Sequence, residues 1–459
     1  MHLTGLPRFR AASPFQAAAA LAILLCAGSA TAQSPNAPQH SAAQAQDESS
    51  KASLALAELA RTFLSLALEV GTHEAEYVDA YYGPASLKAA ADSAPRSRKD
   101  LQKAAEAAVV RIDALSPALR APQDQARARA LRGFYRAAAT RLAMIGGARF
   151  PFLDEAEGLF GIRPDLKPLS HYDDLLARLE TLLPGPGTLA ARVDAFQDRY
   201  VVAKDRVPAV MKAAIGECRR RTLAHFDLPA DESFDMGFVT DKPWSGYNYY
   251  KGAFHSRIEI NMDLPARVGR AVDLGCHEGY PGHHVLNIMI ERTLVGQRGW
   301  KEYQVNPLYS PQSLIAEGSA NYGIDLAFPG EEQLAFERDV LFPLAGLDPA
   351  GAEALWKVRK ATEELGGARM TIAKMYLDGE VDRATALELL KTYQLVSAER
   401  AEQSLGFIEH YRSYVINYHL GRTLVHDYVE RGAPDEATRW ERMRHVLSDA
   451  VLPTDLLVR

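Results

Sequence analysis

The run Cys276-His277-Glu278-Gly279-Tyr280-Pro281-Gly282-His283-His284 places three imidazoles and a carboxylate within nine residues, and Ala316-Glu317-Gly318-Ser319-Ala320 follows with a second carboxylate among small side chains. These are the residue types of a divalent-metal site. A hydrolytic zinc centre takes neutral imidazole nitrogens and a carboxylate as ligands and keeps one position open for water. It also needs a carboxylate that stays off the metal and accepts that water's proton. His277 and Glu278, adjacent in the chain, are expected to be a ligand and that base, with Glu317 as the third ligand.

The spacing demands a particular local structure. In H-E-x-x-H the two histidines lie at i and i+4 on one helix face. Here i+4 is Pro281, and histidine returns at i+6 and i+7. On a regular helix His283 would point about 120° away from His277, and His284 would share its face about 10 Å farther along the axis. Pro281 has no N–H to bond back to His277, and Gly282 tolerates unusual backbone angles, which predicts a break there. A bulge that absorbs two residues returns His283 to the place of i+4. His283 is therefore preferred as second ligand, with His284 as its rival.

The elements that must hold these residues are mostly helical. From Ala52 to about Leu228 apolar residues recur at three- and four-residue steps, as in Leu56, Leu59, Phe63, Leu66 and Val70. Gly83-Pro84, Ser116-Pro117, Gly146-Gly147 and Pro184 to Gly187 break the pattern. The arginine-rich run Arg120 to Arg136 reads as a solvated helix face. Residues 232–262 change to aromatic and β-branched composition, with alternation at Arg257-Ile258-Glu259-Ile260-Asn261, and predict strands. Asp263-Leu264-Pro265 then signals the start of the helix that carries His277. A strand edge beside that helix is able to hold an extended peptide backbone. Arg257 is a candidate for gripping a substrate carboxylate through its planar guanidinium. Asp273, one turn before His277, is a candidate for supporting a ligand. After Glu317 the pattern is helical to the end. The expected fold is mainly α, in two lobes, 51–230 and a catalytic 231–459, with a small β-sheet ahead of the metal-binding helix.

The chain begins with Arg8 and Arg10, a short apolar stretch from Ala17 to Ala27, and Ala30-Thr31-Ala32. This reads as a signal peptide over 1–32 cut after Ala32, and so as export to a periplasm or beyond, without lasting membrane association. Residues 33–50, rich in Ala, Gln, Ser and Pro, read as a disordered linker. The net charge of −6 and the absence of a basic stripe argue against nucleic acid as partner. Cys218 and Cys276 are the two cysteines beyond the signal, so no disulfide framework is implied. One bridge between them is open in an oxidising compartment, but a reduced, buried Cys276 beside the metal is the preferred reading.

His277-Glu278-Gly279-Tyr280-Pro281-Gly282-His283-His284 resembles the H-E-x-x-P-G-H-H motif of the DUF885 family, described as predicted zinc-dependent peptidases or carboxypeptidases. Glu317-Gly318-Ser319-Ala320-Asn321-Tyr322 matches that family's E-G-x-A-x-Y, and Tyr418-His419-Leu420-Gly421 is similar to its late Y-x-x-G. The resemblance implies a clam-like helical fold related to metallopeptidases whose third ligand is a glutamate. In those a Gly-His pair closes the motif, a further reason to prefer His283. Ser319 stands where the family usually has Trp, and Asn287 where it usually has Gln.

Together these readings predict hydrolysis of a peptide or small amide at one Zn²⁺ held by His277, His283 and Glu317, with Glu278 passing the water proton to the leaving amine. The oxyanion needs a donor besides the metal. Tyr418 is the first candidate, His284 the second and Tyr322, also a candidate substrate contact, the third. Other divalent metals remain open. So do a metal-dependent hydrolase or ligase of a non-peptide amide and a non-catalytic binding protein, although an unligated Glu278 has no use in a merely structural site.

Overall fold

The three- and four-residue steps of apolar side chains become helices whose striped faces are buried. The computed structural model describes residues 37–457 apart from Pro243 and Leu264, with side chains from residue 44 onward. Helix α1 (Ala37–His73) buries Leu56, Leu59, Phe63, Leu66 and Val70 along one stripe. The expected signal peptide lies outside the described residues. Of the expected linker, residues 33–36 lie outside the described residues and residues 37–50 belong to α1. Its Ala and Gln residues favour helix, and buried Ser49 accepts the Arg120 backbone N–H through Oγ at 3.3 Å.

Strand β1 (Val78–Tyr81) follows, then α2 (Arg98–Leu115) and α3 (Pro122–Ile145), which pack together. The arginine-rich run on α3 faces solvent at Arg132 and Arg136 but turns inward at Arg127, whose guanidinium grips Glu302 through two bonds of 2.6 and 2.8 Å. Helices α4 (Phe152–Phe160) and α5 (Val207–Leu223) come next. Residues 232–262 are strands as expected: β2 (Ser233–Val239), β3 (Gly246–Gly252) and β4 (His255–Asn261). They form a sheet of order β2-β4-β3, with β2 parallel and β3 antiparallel to β4.

Helix α6 (Arg270–Leu274) runs into a π-helical stretch, Gly275–Gly279, and α7 (His283–Ile290) begins after the break. Strand β5 (Val305–Pro307) pairs with β1 antiparallel, and α8 (Pro311–Ala327), α9 (Gly366–Leu377), α10 (Ala398–Tyr411) and α11 (Ile416–Glu430) complete the frame around the site. The fold is mainly helical with small sheets. Residues Glu48–Arg459 pack as one unit, and the β1–β5 pairing and the Arg127–Glu302 ion pair knit the two expected lobes together across residue 230.

The expectation of a reduced Cys276 is overturned. Helix α5 packs against the π-helical stretch, which brings the Cys218 and Cys276 Cα atoms to 5.4 Å, and the two sulfurs form a disulfide. Both residues are fully buried. The bond therefore ties α5 to the residue immediately before His277.

Candidate metal centre

The expected break occurs where Pro281 removes a donor. The Gly282 N–H reaches back six residues to the Cys276 carbonyl at 3.0 Å, where a regular α-helix would bond four residues back. Two extra residues are thereby looped out, and the Tyr280–Pro281 peptide is cis. Glycine is required at 282, because a Cβ there would sit 1.9 Å from the His277 carbonyl oxygen. The helix restarts at His283, whose ring comes edge-on to that of His277 at 4.6 Å between centroids. Asn287 steadies the restart by donating to the His283 carbonyl at 2.9 Å and accepting from Asn306 at 3.2 Å.

Glu317 approaches from α8. Its Oε2 stands 3.4 Å from His277 Nε2, and His277 Nε2 stands 3.1 Å from His283 Nε2. One ligand atom from each of these three residues lies within 4.8 Å of the others. Donors bound at about 2.0–2.1 Å to a tetrahedral zinc are separated by about 3.3–3.5 Å, close to the observed spacings. Glu317 Oε1 accepts the Tyr414 hydroxyl at 3.1 Å, whereas Oε2 is buried with no hydrogen-bond partner among the described residues. A buried orphan carboxylate oxygen facing two imidazole nitrogens is costly unless a cation satisfies it. The donor set therefore fits zinc.

Burial works to lower His277, but Glu317 and Glu278 hold it above the usual imidazole range. Burial pushes His283 down to about 4, with His277 adding to the effect, so its ring is neutral near pH 7. Burial works to raise Glu317, but His277, His283 and the Tyr414 hydroxyl hold it below the usual carboxylate range. Glu278, in the next position after His277, is 6 % exposed and makes no ion pair among the described residues. Burial pushes it up to about 7; Glu317 and Asp79 add to this, while His277 and Arg270 oppose it. Asn248 of β3 donates to the Glu278 carbonyl at 2.7 Å and so fastens the sheet to this segment.

The expected donor Tyr418 is at the site. Burial raises its phenol well above the usual value, as do the negative charges of Glu317 and Glu278, and its hydroxyl makes no hydrogen bond among the described residues. Tyr414 is the residue that sequence reasoning missed. It sits one turn ahead of Tyr418, their rings 5.9 Å apart, and only the tyrosine-rich run before Tyr418 hinted at it. The turn that presents it is held by buried Glu155, which accepts from Arg412 Nε at 2.7 Å and from the Ser413 hydroxyl at 2.8 Å. These bonds keep Arg412 at φ +53°, a strained value for a side-chain-bearing residue. Helices α8 and α11 cross at Gly318 and Gly421, where a Cβ on Gly318 would lie 2.5 Å from the Gly421 backbone. That crossing sets Glu317 opposite Tyr414 and Tyr418.

Four expected site residues lie elsewhere. His284 is fully buried on the opposite side of α7, with Nδ1 2.8 Å from Ser256 Oγ and Nε2 3.0 Å from Glu232 Oε2. One step along a helix turns a side chain by about 100°, so His283 and His284 cannot share the site. Burial lowers the His284 pKa, so its neutral ring donates from Nε2 to the Glu232 carboxylate and accepts the Ser256 hydroxyl at Nδ1. Serine, histidine and glutamate in a row resemble a nucleophilic relay, but fully buried Ser256 leaves no room for a substrate, and the group is structural. Tyr322, five positions after Glu317 and turned about 140° from it, donates to Glu430 at 2.7 Å. Arg257 falls on the outer face of β4, where Ser256, Ile258 and Ile260 take the inner face, and pairs with Glu259 at 2.8 Å. Asp273 stands 3.6 Å from Arg270 and faces the buried Arg359–Glu337 pair, not a ligand histidine.

No family model matches the chain, and no curated protein aligns with it. Among solved structures the chain is similar to a protein from Colwellia psychrerythraea described as a candidate lipoprotein, with 15% identity, 79% of this chain and 68% of that one covered, and a TM-score of 0.49. It is similar to a structure described as that of CHT at 12% identity, 87% and 92% coverage and a TM-score of 0.39. An M32 carboxypeptidase from Deinococcus radiodurans R1 shares 14% identity over 86% of this chain and 90% of that one, with a TM-score of 0.36.

Proposed function

We propose that this protein is an exported zinc-dependent hydrolase of peptide bonds or related small amides, with His277, His283 and Glu317 as ligands and Glu278 as general base. The observation that carries the reading is the buried, unpartnered Glu317 Oε2 facing the His277 and His283 nitrogens, with Glu278 unpaired beside them. The DUF885-like motifs support the same assignment. When bound, zinc supplies an acidified water and polarises the substrate carbonyl. Glu278, poised near neutrality by burial, would take the proton of the attacking water and return it to the leaving amine. Tyr414 orients Glu317 through its 3.1 Å bond. The Tyr418 hydroxyl, protonated at neutral pH and uncommitted to any described partner, donates to the carbonyl oxygen as negative charge develops there. Strand β3 is an edge of its sheet and is fastened to Glu278 through Asn248, which suits it to align an extended substrate.

The test is elemental analysis with a tripeptide-library digest. The expected outcome is about one equivalent of metal per chain, with Glu278→Gln keeping the metal and losing turnover by about 10²–10⁴-fold. Full activity in His277→Ala would overturn the assignment, and turnover of acylated amines without any peptide cleavage would move the substrate to non-peptide amides.

A further inference from the structure

Arg369 on α9 is recessed in the fold without a counter-ion. Its guanidinium makes no hydrogen bond or ion pair among the described residues, and its Nε is buried with no partner. Other recessed arginines are compensated: Arg127 pairs with Glu302 at 2.6 Å, Arg359 with Glu337 at 2.8 Å and Arg412 with Glu155 at 2.7 Å. Removing a guanidinium from water with no opposing charge is expensive, and such a charge persists where something else compensates it. Burial lowers the Arg369 pKa, and the neighbouring ionisable group that acts on it is Tyr418; no carboxylate does.

Its place relative to the metal centre follows from the aromatic rings between them. The Arg369 guanidinium carbon lies over the Phe407 ring, 4.8 Å from its centre. Phe407 is 6.1 Å from Tyr418 and 6.4 Å from Tyr414, and Tyr414 bonds Glu317. Arg369 therefore stands one ring beyond the residues that face the metal ligands, on the side of α10 and α11. A guanidinium is a planar fork of donors and is suited to a carboxylate.

We propose that Arg369 is the substrate-anchoring residue of the candidate metal centre and that it receives a carboxylate of the substrate, either a peptide C-terminus or an acidic side chain. The proposal rests on the amide-hydrolase reading only in treating the region beside Glu317 as the substrate's. It replaces Arg257, which faces the outer side of the sheet, as the carboxylate-binding arginine.

The experiment is calorimetric binding to full-length, metal-loaded protein carrying Glu278→Gln, so that ligands bind without turnover. One arm compares acetylated trialanine as the free acid and as the carboxamide. The other compares carboxamide tripeptides ending in glutamate or in glutamine. In one arm the carboxylate ligand is expected to bind about 10–100-fold tighter than its neutral partner, the range of a charge-assisted pair. Adding Arg369→Met should abolish that ratio while leaving the neutral ligand's affinity unchanged, and adding Arg369→Lys should restore part of it. The first arm identifies a C-terminus and the second an acidic side chain; discrimination in either supports the proposal. Arg369→Met should also melt no lower than its parent, since it removes an uncompensated charge. Equal binding of acid and neutral forms in both arms, or a ratio that survives Arg369→Met, overturns the proposal. If the ratio behaves as expected but no peptide or amide is ever hydrolysed, the carboxylate site stands and the hydrolase reading falls.

Discussion

Replacing both cysteines by alanine, Cys218→Ala with Cys276→Ala, tests how the metal-bearing segment is held. The bridge spans 58 positions of sequence. Closing a loop of that length removes denatured-state entropy worth about 4 kcal/mol at 25 °C in the chain-entropy treatment. Residues Glu48–Arg459 form the packed unit; at about 2 cal/mol/K per residue its unfolding entropy is about 0.9 kcal/mol/K, so the loss corresponds to a fall of about 4–5 °C in melting temperature. Differential scanning calorimetry with and without a thiol reductant reads this directly. Reductant present during unfolding should lower the wild-type transition by that amount and leave the double variant unmoved. The same constraint precedes His277, so the double variant should also release its metal to a chelator faster than the wild type. A wild-type transition that reductant does not move, together with two additional thiols titrating in denaturant without reduction, would refute the reasoning.

Tyr414→Phe should leave the fold intact and weaken metal affinity or turnover by about 10–100-fold, as loss of a ligand's outer hydrogen bond does; chelator competition measures the first and initial rates the second. Glu232 is opposed by burial but held down to about 2 by bonds from His284, Tyr280 and Arg219. Its stabilising contribution is therefore complete above the ordinary carboxylate range and disappears as pH falls from about 5 toward 2. Urea midpoints should show wild type more stable than Glu232→Gln at pH 7, with the gap closing across that window; a constant gap would contradict the network. Arg257→Ala should keep turnover within about twofold, because surface pairs of this kind contribute little, and a larger loss in initial rate would put Arg257 back in the site.

Most of the candidate metal site, the grouping of His277, His283 and Glu317, was legible from residue type and the constraint of the break. Proline and glycine at 281 and 282 announce a loop-out, and a two-residue loop-out returns His283 to the face of His277, which makes His283 the preferred ligand with His284 as its rival. Glu317 was legible because small residues beside a lone carboxylate permit backbone contact, as Gly318 against Gly421 now explains. The helical periods and the strands at 232–262 came through because burial enforces a period of 3.6 or 2. What failed depended on facing or on distance through space. Arg257 is an outward position of an alternating strand, and its parity is settled only when β4 pairs with both neighbours. Tyr322 rides on the same helix as Glu317 but on another face. The disulfide needs two segments far apart in sequence to pack, and spacing alone does not reveal that. Tyr414 lies in a turn fixed by Glu155, some 260 residues earlier, and no local pattern announces such a support.

The contact of Gly318 with Gly421 has a mechanical consequence. Where two helices meet main chain to main chain, no side chain lies between them to yield, so α8 and α11 behave as a single bracket carrying Glu317 on one arm and Tyr418 on the other. If α8 shifts, the bracket travels whole, and the displacement is taken up against the segment that bears His277 and His283. Such a shift keeps the spacing between carboxylate and phenol and changes the spacing between carboxylate and imidazoles.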